Sequence, residues 1–221
     1  MTFIGEHTLV GSMGHGFISI SFTASLLATF SYFIASKNKK MYSEWEALAR
    51  YSFYGHTISV LGIIACMFFM IYNHYFEYQY VWQHSSISLP THYMISCFWE
   101  GQEGSFLLWI LWNSILGIYL ISKTKKWQAP LMTIISSIQT FLSSMIIGIY
   151  ILGVKIGTSP FVLVRNLEEN IGLPWTQMEN YLQIVPQFMD GRGLNPLLQN
   201  YWMVIHPPIL FLGFSITMIP F

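Results

Sequence analysis

The residue in this chain best placed to do chemistry is His206. It lies in "YWMVIHPPILFLGF" (201–214), an apolar stretch that sets an imidazole directly before two prolines. A residue preceding proline is pushed out of helical backbone, which predicts an extended conformation at His206. Proline in a helix's first turn loses little, because its N–H would be unpaired there anyway. Pro207 and Pro208 are thus expected to open the following helix and to hold the ring at its lip. A helix N-terminus disfavours imidazolium, leaving a neutral ring whose lone pair can bind a metal. The competing reading is a kink whose histidine only hydrogen-bonds, and this stretch by itself leaves both open.

The acidic block "WEGQEGSFLLW" (99–109) is the second candidate. Acids just before a helix are favoured by the partial positive charge there, which accounts for Glu100 and Glu103 without function. The functional alternative is the rim of a ligand site. His84 and His92 read as surface histidines, while His15 and His56 fall in or beside apolar runs, where ionisable residues are functional suspects. Gly11, Gly14 and Gly16 around His15 read as close helix packing. Asn195-Pro196 reads as an N-cap with proline at the first helical position, opening a short helix at the interface. Cys66 and Cys97 read as unpaired, and there is neither a C-x-x-C redox pair nor a C-x-x-C-H haem-attachment site. A phosphate-binding loop, a dinucleotide glycine pattern and a zinc-hydrolase helix are also missing from the 221 residues.

These groups need a scaffold, and composition names it. The chain is 53% hydrophobic and 9% charged, with ten basic and ten acidic residues. Soluble domains carry about 25% charge. The balance gives no global field for nucleic acid. Five apolar runs are long enough to cross a bilayer: about 8–35, 47–73, 105–122, 128–154 and 203–221. They are continuous rather than alternating, which predicts an all-α polytopic membrane protein and excludes a barrel. The first run lacks a basic leader and is too long for a cleaved signal. Lys37, Lys39, Lys40 and Arg50 lie between the first two runs, and Lys123, Lys125 and Lys126 between the third and fourth. Basic residues mark the cytoplasmic or matrix side, so the N-terminus and the loops 74–104 and 155–202 are expected outside. No run pairs charges and no internal repeat appears, which disfavours a transporter.

Two blocks carry a resemblance. "YVWQHSSISLPTHYMISCFWEGQEGSFLLW" and "GRGLNPLLQNYWMVIHPPILFLGF" are similar, in that order, to blocks in the N-terminal half of the CcmF-type cytochrome c haem lyases, within the CcmF/CcsA haem-handling superfamily. The similarity covers about 45–221. It implies that His206 is the first of two outer-face histidines ligating the haem being delivered. Pro207, Pro208, Trp99, Glu103 and Asn195 would then line or support the haem-binding site. It also implies work with a haem chaperone, apocytochrome c and other maturation subunits in a bacterial inner membrane, or alternatively a mitochondrial one. No residue here is assigned a catalytic role. The family's tryptophan-rich segment, second outer histidine and the two membrane histidines of its resident haem b are expected after residue 221, in the remaining C-terminal half of the lyase. One residue is inserted or shifted before the shared Glu103-Gly104-Ser105. His15, His56, His84 and His92 match no ligand of the family. A non-catalytic membrane-embedded structural or haem-binding subunit of a respiratory or assembly complex is the alternative.

Overall fold

The structure, a computed structural model, describes residues 3–37 and 42–218. Among the described residues eight α-helices run α1 (Thr8–Lys37), α2 (Tyr42–Tyr72), α3 (Gln79–His84), α4 (Thr91–Glu100), α5 (Gln102–Lys123), α6 (Gln128–Ser144), α7 (Tyr181–Ile184) and α8 (Tyr201–Ile216). Among the described residues the only sheet is a two-stranded hairpin, β1 (Ile149–Ile151) with β2 (Val154–Ile156). The chain is an all-α polytopic membrane protein. Among the described residues three helices, Thr8–Lys37, Ser43–Tyr72 and Gln102–Lys123, are long and apolar enough to cross a bilayer. Contacts divide the chain into two compact units: Met1–His15, Ala65–Ser105 and Ser159–Pro207 form one; Gly16–Ile64, Phe106–Thr158 and Pro208–Phe221 form the other.

The second unit is a helix bundle held by apolar and polar contacts alike. Ala28, Tyr32, Ala49, Phe53, Ala129 and Met132 make one core cluster. Gly117 lets the Phe53 ring approach its helix closely, since an added Cβ would sit 2.3 Å from the ring tip. The Gln139 amide donates to the Ile110 carbonyl at 3.0 Å and to Ser114 Oγ at 2.8 Å, a polar tie between α5 and α6. Phe30, Ile58 and Phe141 are more than half exposed, an apolar exterior that suits lipid and not water.

The first unit owes its shape to pairing outside regular helices. Residues 77–79 lie antiparallel to 162–164, with Val164 N–H donating to the Glu77 carbonyl at 2.8 Å and Gln79 N–H to Val162 at 2.9 Å. The same segment caps α1. The Glu77 carboxylate accepts from His7 N–H at 3.0 Å, and the Tyr78 hydroxyl accepts from Gly11 N–H at 3.0 Å while donating to the His7 carbonyl at 2.8 Å. Gly11 is what lets that phenol approach, for a Cβ would lie 2.4 Å from its oxygen. Val164, Tyr181 and Phe188 form a small core with Phe3, Trp82 and Trp175 packed on it.

The fourth run departs from expectation. It was expected to be helical over 128–154, but α6 ends at Ser144 and the remainder turns into the hairpin. Gly148 has a φ of 61°, which a continuing helix excludes. The β-branched Ile149, Ile151, Val154 and Ile156 then favour strand. Apolarity alone does not separate a buried helix from such strands. Residues 219–221 of the fifth run lie outside the described residues.

Candidate functional site

The acidic block builds a tight joint between α4 and α5. Only Gly101 separates the two helices. The Tyr80 hydroxyl donates to the Phe98 carbonyl at 2.7 Å and accepts from Gly101 N–H at 3.2 Å. Ser105 Oγ donates to the Trp99 carbonyl at 2.8 Å. A Cβ on Gly104 would fall 1.5 Å from the Phe98 carbonyl oxygen, so this position admits glycine alone. Burial holds the Tyr80 phenol well above its ordinary range. Trp99 is half-buried, with its ring edge-on to Phe98.

The two acids part company here. Glu103 occupies the first turn of α5, as the helix-dipole reading requires, and its carboxylate has no hydrogen-bond or ion-pair partner among the described residues. Glu100 does something the dipole reading did not include. One oxygen accepts from Asn195 N–H at 2.9 Å, and the other lies 3.1 Å from His84 Nδ1. Glu100 therefore ties the first motif block to the second. Asn195 is the expected cap: its side chain accepts from Leu197 N–H at 3.0 Å and starts the turn Pro196–Leu198. That turn is a single 3-10 turn, shorter than the expected interface helix.

The segment Gly191-Arg192-Gly193 makes a second clasp. Arg192 N–H donates to the Trp82 carbonyl at 2.7 Å and Gly193 N–H to the Ser85 carbonyl at 3.0 Å, satisfying the end of α3. Gly193 needs its φ of 84°. The Arg192 guanidinium lies 4.3 Å from the Trp82 ring centre. It borders a polar cavity of about 390 Å³ that Gln79, Gln83 and Gln187 also line.

His206 requires a correction. It is not in extended backbone at a helix lip; it is the sixth residue of α8. Asn200 starts the helix earlier than expected, its carbonyl accepting from Met203 N–H at 3.0 Å and Val204 N–H at 3.2 Å and its side chain from Trp202 N–H at 3.0 Å. The prolines therefore fall in the helix's second turn, where the carbonyls of Met203 and Val204 lose their usual donors. His206 also lies beyond the first turn, so the helix dipole acts on it less than expected. Its ring is exposed and has no hydrogen-bond, ion-pair or ring partner among the described residues. Nor, among those residues, do three or more His, Cys, Asp or Glu side chains converge as a metal site. The His206 imidazole is therefore exposed on α8 without a companion His, Cys, Asp or Glu cluster among the described residues.

The other histidines are engaged in structure. His56 is fully buried, its Nδ1 2.9 Å from the Ser21 carbonyl and 3.0 Å from Ser21 Oγ. His15 lies 3.3 Å from Ser159 Oγ and edge-on to Phe161. His84 pairs with Glu100, and His92 lies against Tyr93 at 4.2 Å between ring centres. Cys66 and Cys97 are free and buried, and burial pushes the Cys97 thiol up to about 12.

Sequence reasoning missed a buried acidic pair. The Glu6 side chain is 3% exposed and takes a bidentate grip from Arg165, at 2.6 and 3.2 Å, plus the Tyr181 hydroxyl at 2.9 Å. Glu77, also 3% exposed, pairs with the His7 ring at 3.0 Å. Burial raises the Glu77 carboxyl above its usual range, against the bonds from His7 that hold it down. The one available signal was the scarcity of charge: few acids in an apolar chain are placed without partners.

Long apolar helices and a loop layer in which Glu100 clasps the Asn195 segment define a polytopic membrane protein. Comparison with known proteins supplies the family. The family described as "Cytochrome C assembly protein" matches residues 99–221, from Trp99 through the His206 block. The chain belongs to that family. It is 27% identical over 212 residues to the cytochrome c-type biogenesis protein CcmF of Haemophilus influenzae, covering 93% of this chain and 28% of that protein. It is 27% identical to CcmF of Pseudomonas aeruginosa, covering 77% of this chain and 22% of that one. Against the probable biogenesis protein NrfE of Escherichia coli it is 28% identical, covering 65% and 22%. A solved structure titled "Cytochrome c Heme Lyase CcmF" superposes over 100% of this chain and 29% of its own, with a TM-score of 0.69 and 19% identity, a likeness of fold. The chain thus spans under a third of the length of these relatives.

Proposed function

We propose that this chain forms part of a haem lyase of cytochrome c maturation, in which His206 ligates the iron of the haem being delivered at the outer face of a bacterial inner membrane. The supporting observation is an exposed imidazole, unengaged by any described residue, on the helix that follows the clasped Asn195 block. Haem is the substrate and supplies the vinyl groups; apocytochrome c supplies the C-x-x-C-H thiols. The protein's share is axial ligation, orientation and exclusion of water. Asn195, held by Glu100, sets the start of the segment that leads to α8, and Pro207 and Pro208 stiffen the helix beside the ring. Trp99 and Glu103 form the rim of the same layer, Glu103 offering a carboxylate that has no hydrogen-bond or ion-pair partner among the described residues. The lysine asymmetry supports an N-terminus outside and outer placement of 74–104 and 155–202. A haem chaperone, apocytochrome c, other maturation subunits and the rest of the lyase are the partners this role requires.

The experiment is His206→Ala in the assembled lyase, with maturation of a C-x-x-C-H reporter cytochrome followed by haem staining. A ligand role predicts normal accumulation, lost maturation, and partial rescue by added imidazole. Lower abundance without rescue supports the kink reading instead. Full maturation without imidazole disposes of the ligand role.

A further inference from the structure

The hairpin of β1 and β2 turns through Leu152-Gly153, with φ of 52° and 82°. Two central residues with positive φ make the tight hairpin turn that favours Asn-Gly or Asp-Gly. Leucine is a poor choice for the first position, because its Cβ crowds the backbone there and it has no polar group to repay the conformation. It is also the wrong residue for water: Leu152 is 100% exposed. Tyr150 and Val154 are 54% and 65% exposed, and Lys155 is the single charge in 145–158. The hairpin therefore presents an apolar point on a strained turn, with nothing among the described residues covering it.

We propose that this hairpin is a membrane-interface anchor, with the Leu152 tip among lipid acyl chains and Tyr150 and Lys155 at the headgroups. Chain continuity favours lipid as the occupant. The hairpin begins five residues after α6, which exposes Ile134 at 57% and Phe141 at 66%, side chains that suit acyl chains. The Lys155 ammonium lies 5.9 Å from the Tyr150 ring centre. An aromatic ring and a snorkelling lysine are the pair that belongs at a headgroup layer, where lipid phosphates meet the ammonium. Depth has a limit as well. Both outer edges of a two-stranded hairpin carry unpaired N–H and C=O groups, which hydrocarbon does not satisfy. Only the tip is immersed, and the strands stay among headgroups and water.

The test uses the whole chain in nanodiscs of zwitterionic and anionic phospholipid. Leu152→Cys carries a nitroxide; Cys66 and Cys97 are buried, and the chain without an introduced cysteine sets the labelling background. Collision with oxygen, which concentrates in lipid, is compared with collision with a water-soluble nickel chelate. Phe141→Cys serves as the lipid reference and Glu169→Cys as the aqueous one. The anchor predicts that the 152 label resembles the 141 label, with oxygen dominating. A 152 label that meets the chelate as the 169 label does overturns it, and leaves the tip for a protein partner. A second arm places the label at Val154→Cys and adds Leu152→Gly, which the turn accepts without strain. Chelate access at 154 should then rise several-fold. Unchanged access at 154 means the leucine anchors nothing, and overturns the proposal equally.

Discussion

Glu100→Ala attacks the contact that joins the two motif blocks. The carboxylate, 13% exposed, holds Asn195 N–H at 2.9 Å and His84 Nδ1 at 3.1 Å. A hydrogen bond to a charged group contributes roughly 1.5–3 kcal/mol. Removing it should free the Asn195 amide by about 2 kcal/mol, which is ~30-fold in its exchange rate at 1.4 kcal/mol per decade. Hydrogen–deuterium exchange on the chain in nanodiscs reads this directly, because the amide that loses its acceptor is the one observed. Glu100→Gln keeps a carbonyl oxygen for the same N–H and gives up the charge, so it should fall between. The effect should decay toward 164–176, whose bonds do not involve Glu100. Unchanged exchange at Asn195 in the alanine variant would show that the blocks are held together some other way.

Gly104→Ala should lower thermal stability by about 3 kcal/mol or prevent accumulation, since its Cβ meets the Phe98 carbonyl at 1.5 Å. Gly16→Ala, with nothing within 4 Å, should instead raise the melting temperature through helix propensity of roughly 1 kcal/mol. Glu77→Gln tests the buried acid: a carboxyl raised on folding makes the native state bind protons more tightly, so stability falls as pH rises from the unfolded value through the folded one. The glutamine variant should lose that slope and melt no lower than wild type at neutral pH; a slope that persists assigns it to another group. Impermeant thiol reagents on intact spheroplasts should modify cysteines introduced at 87 and 169 but not at 125, and the reverse pattern overturns the outer placement of the loops.

The long helices were legible because continuous apolar runs of that length have few other outcomes. The end of α6 was not, because Ile, Tyr and Val after Ser144 read as apolar whether they form helix or strand, and a φ of 61° at Gly148 decided it. At His206 two local rules competed: the pre-proline bias against helix, and Asn200 capping a helix six residues earlier. The cap won, with three N–H groups on one residue. Glu103 stood where the helix-dipole rule put it, while Glu100, three residues away, went to partners 16 and 95 residues distant in the chain. Such pairings follow from tertiary closeness, which no spacing announces. The Gly-Arg-Gly clasp and the Glu6–Arg165 pair were hidden for the same reason.

The central claim is that His206 holds haem iron, and the spectrum of haem trapped on the assembled lyase tests it most directly. Wild type should show a low-spin, bis-histidine signature. His206→Ala should convert it to high-spin, with the low-spin form returning when imidazole is added. A low-spin spectrum identical in wild type and His206→Ala, at equal haem content and protein abundance, would contradict the account.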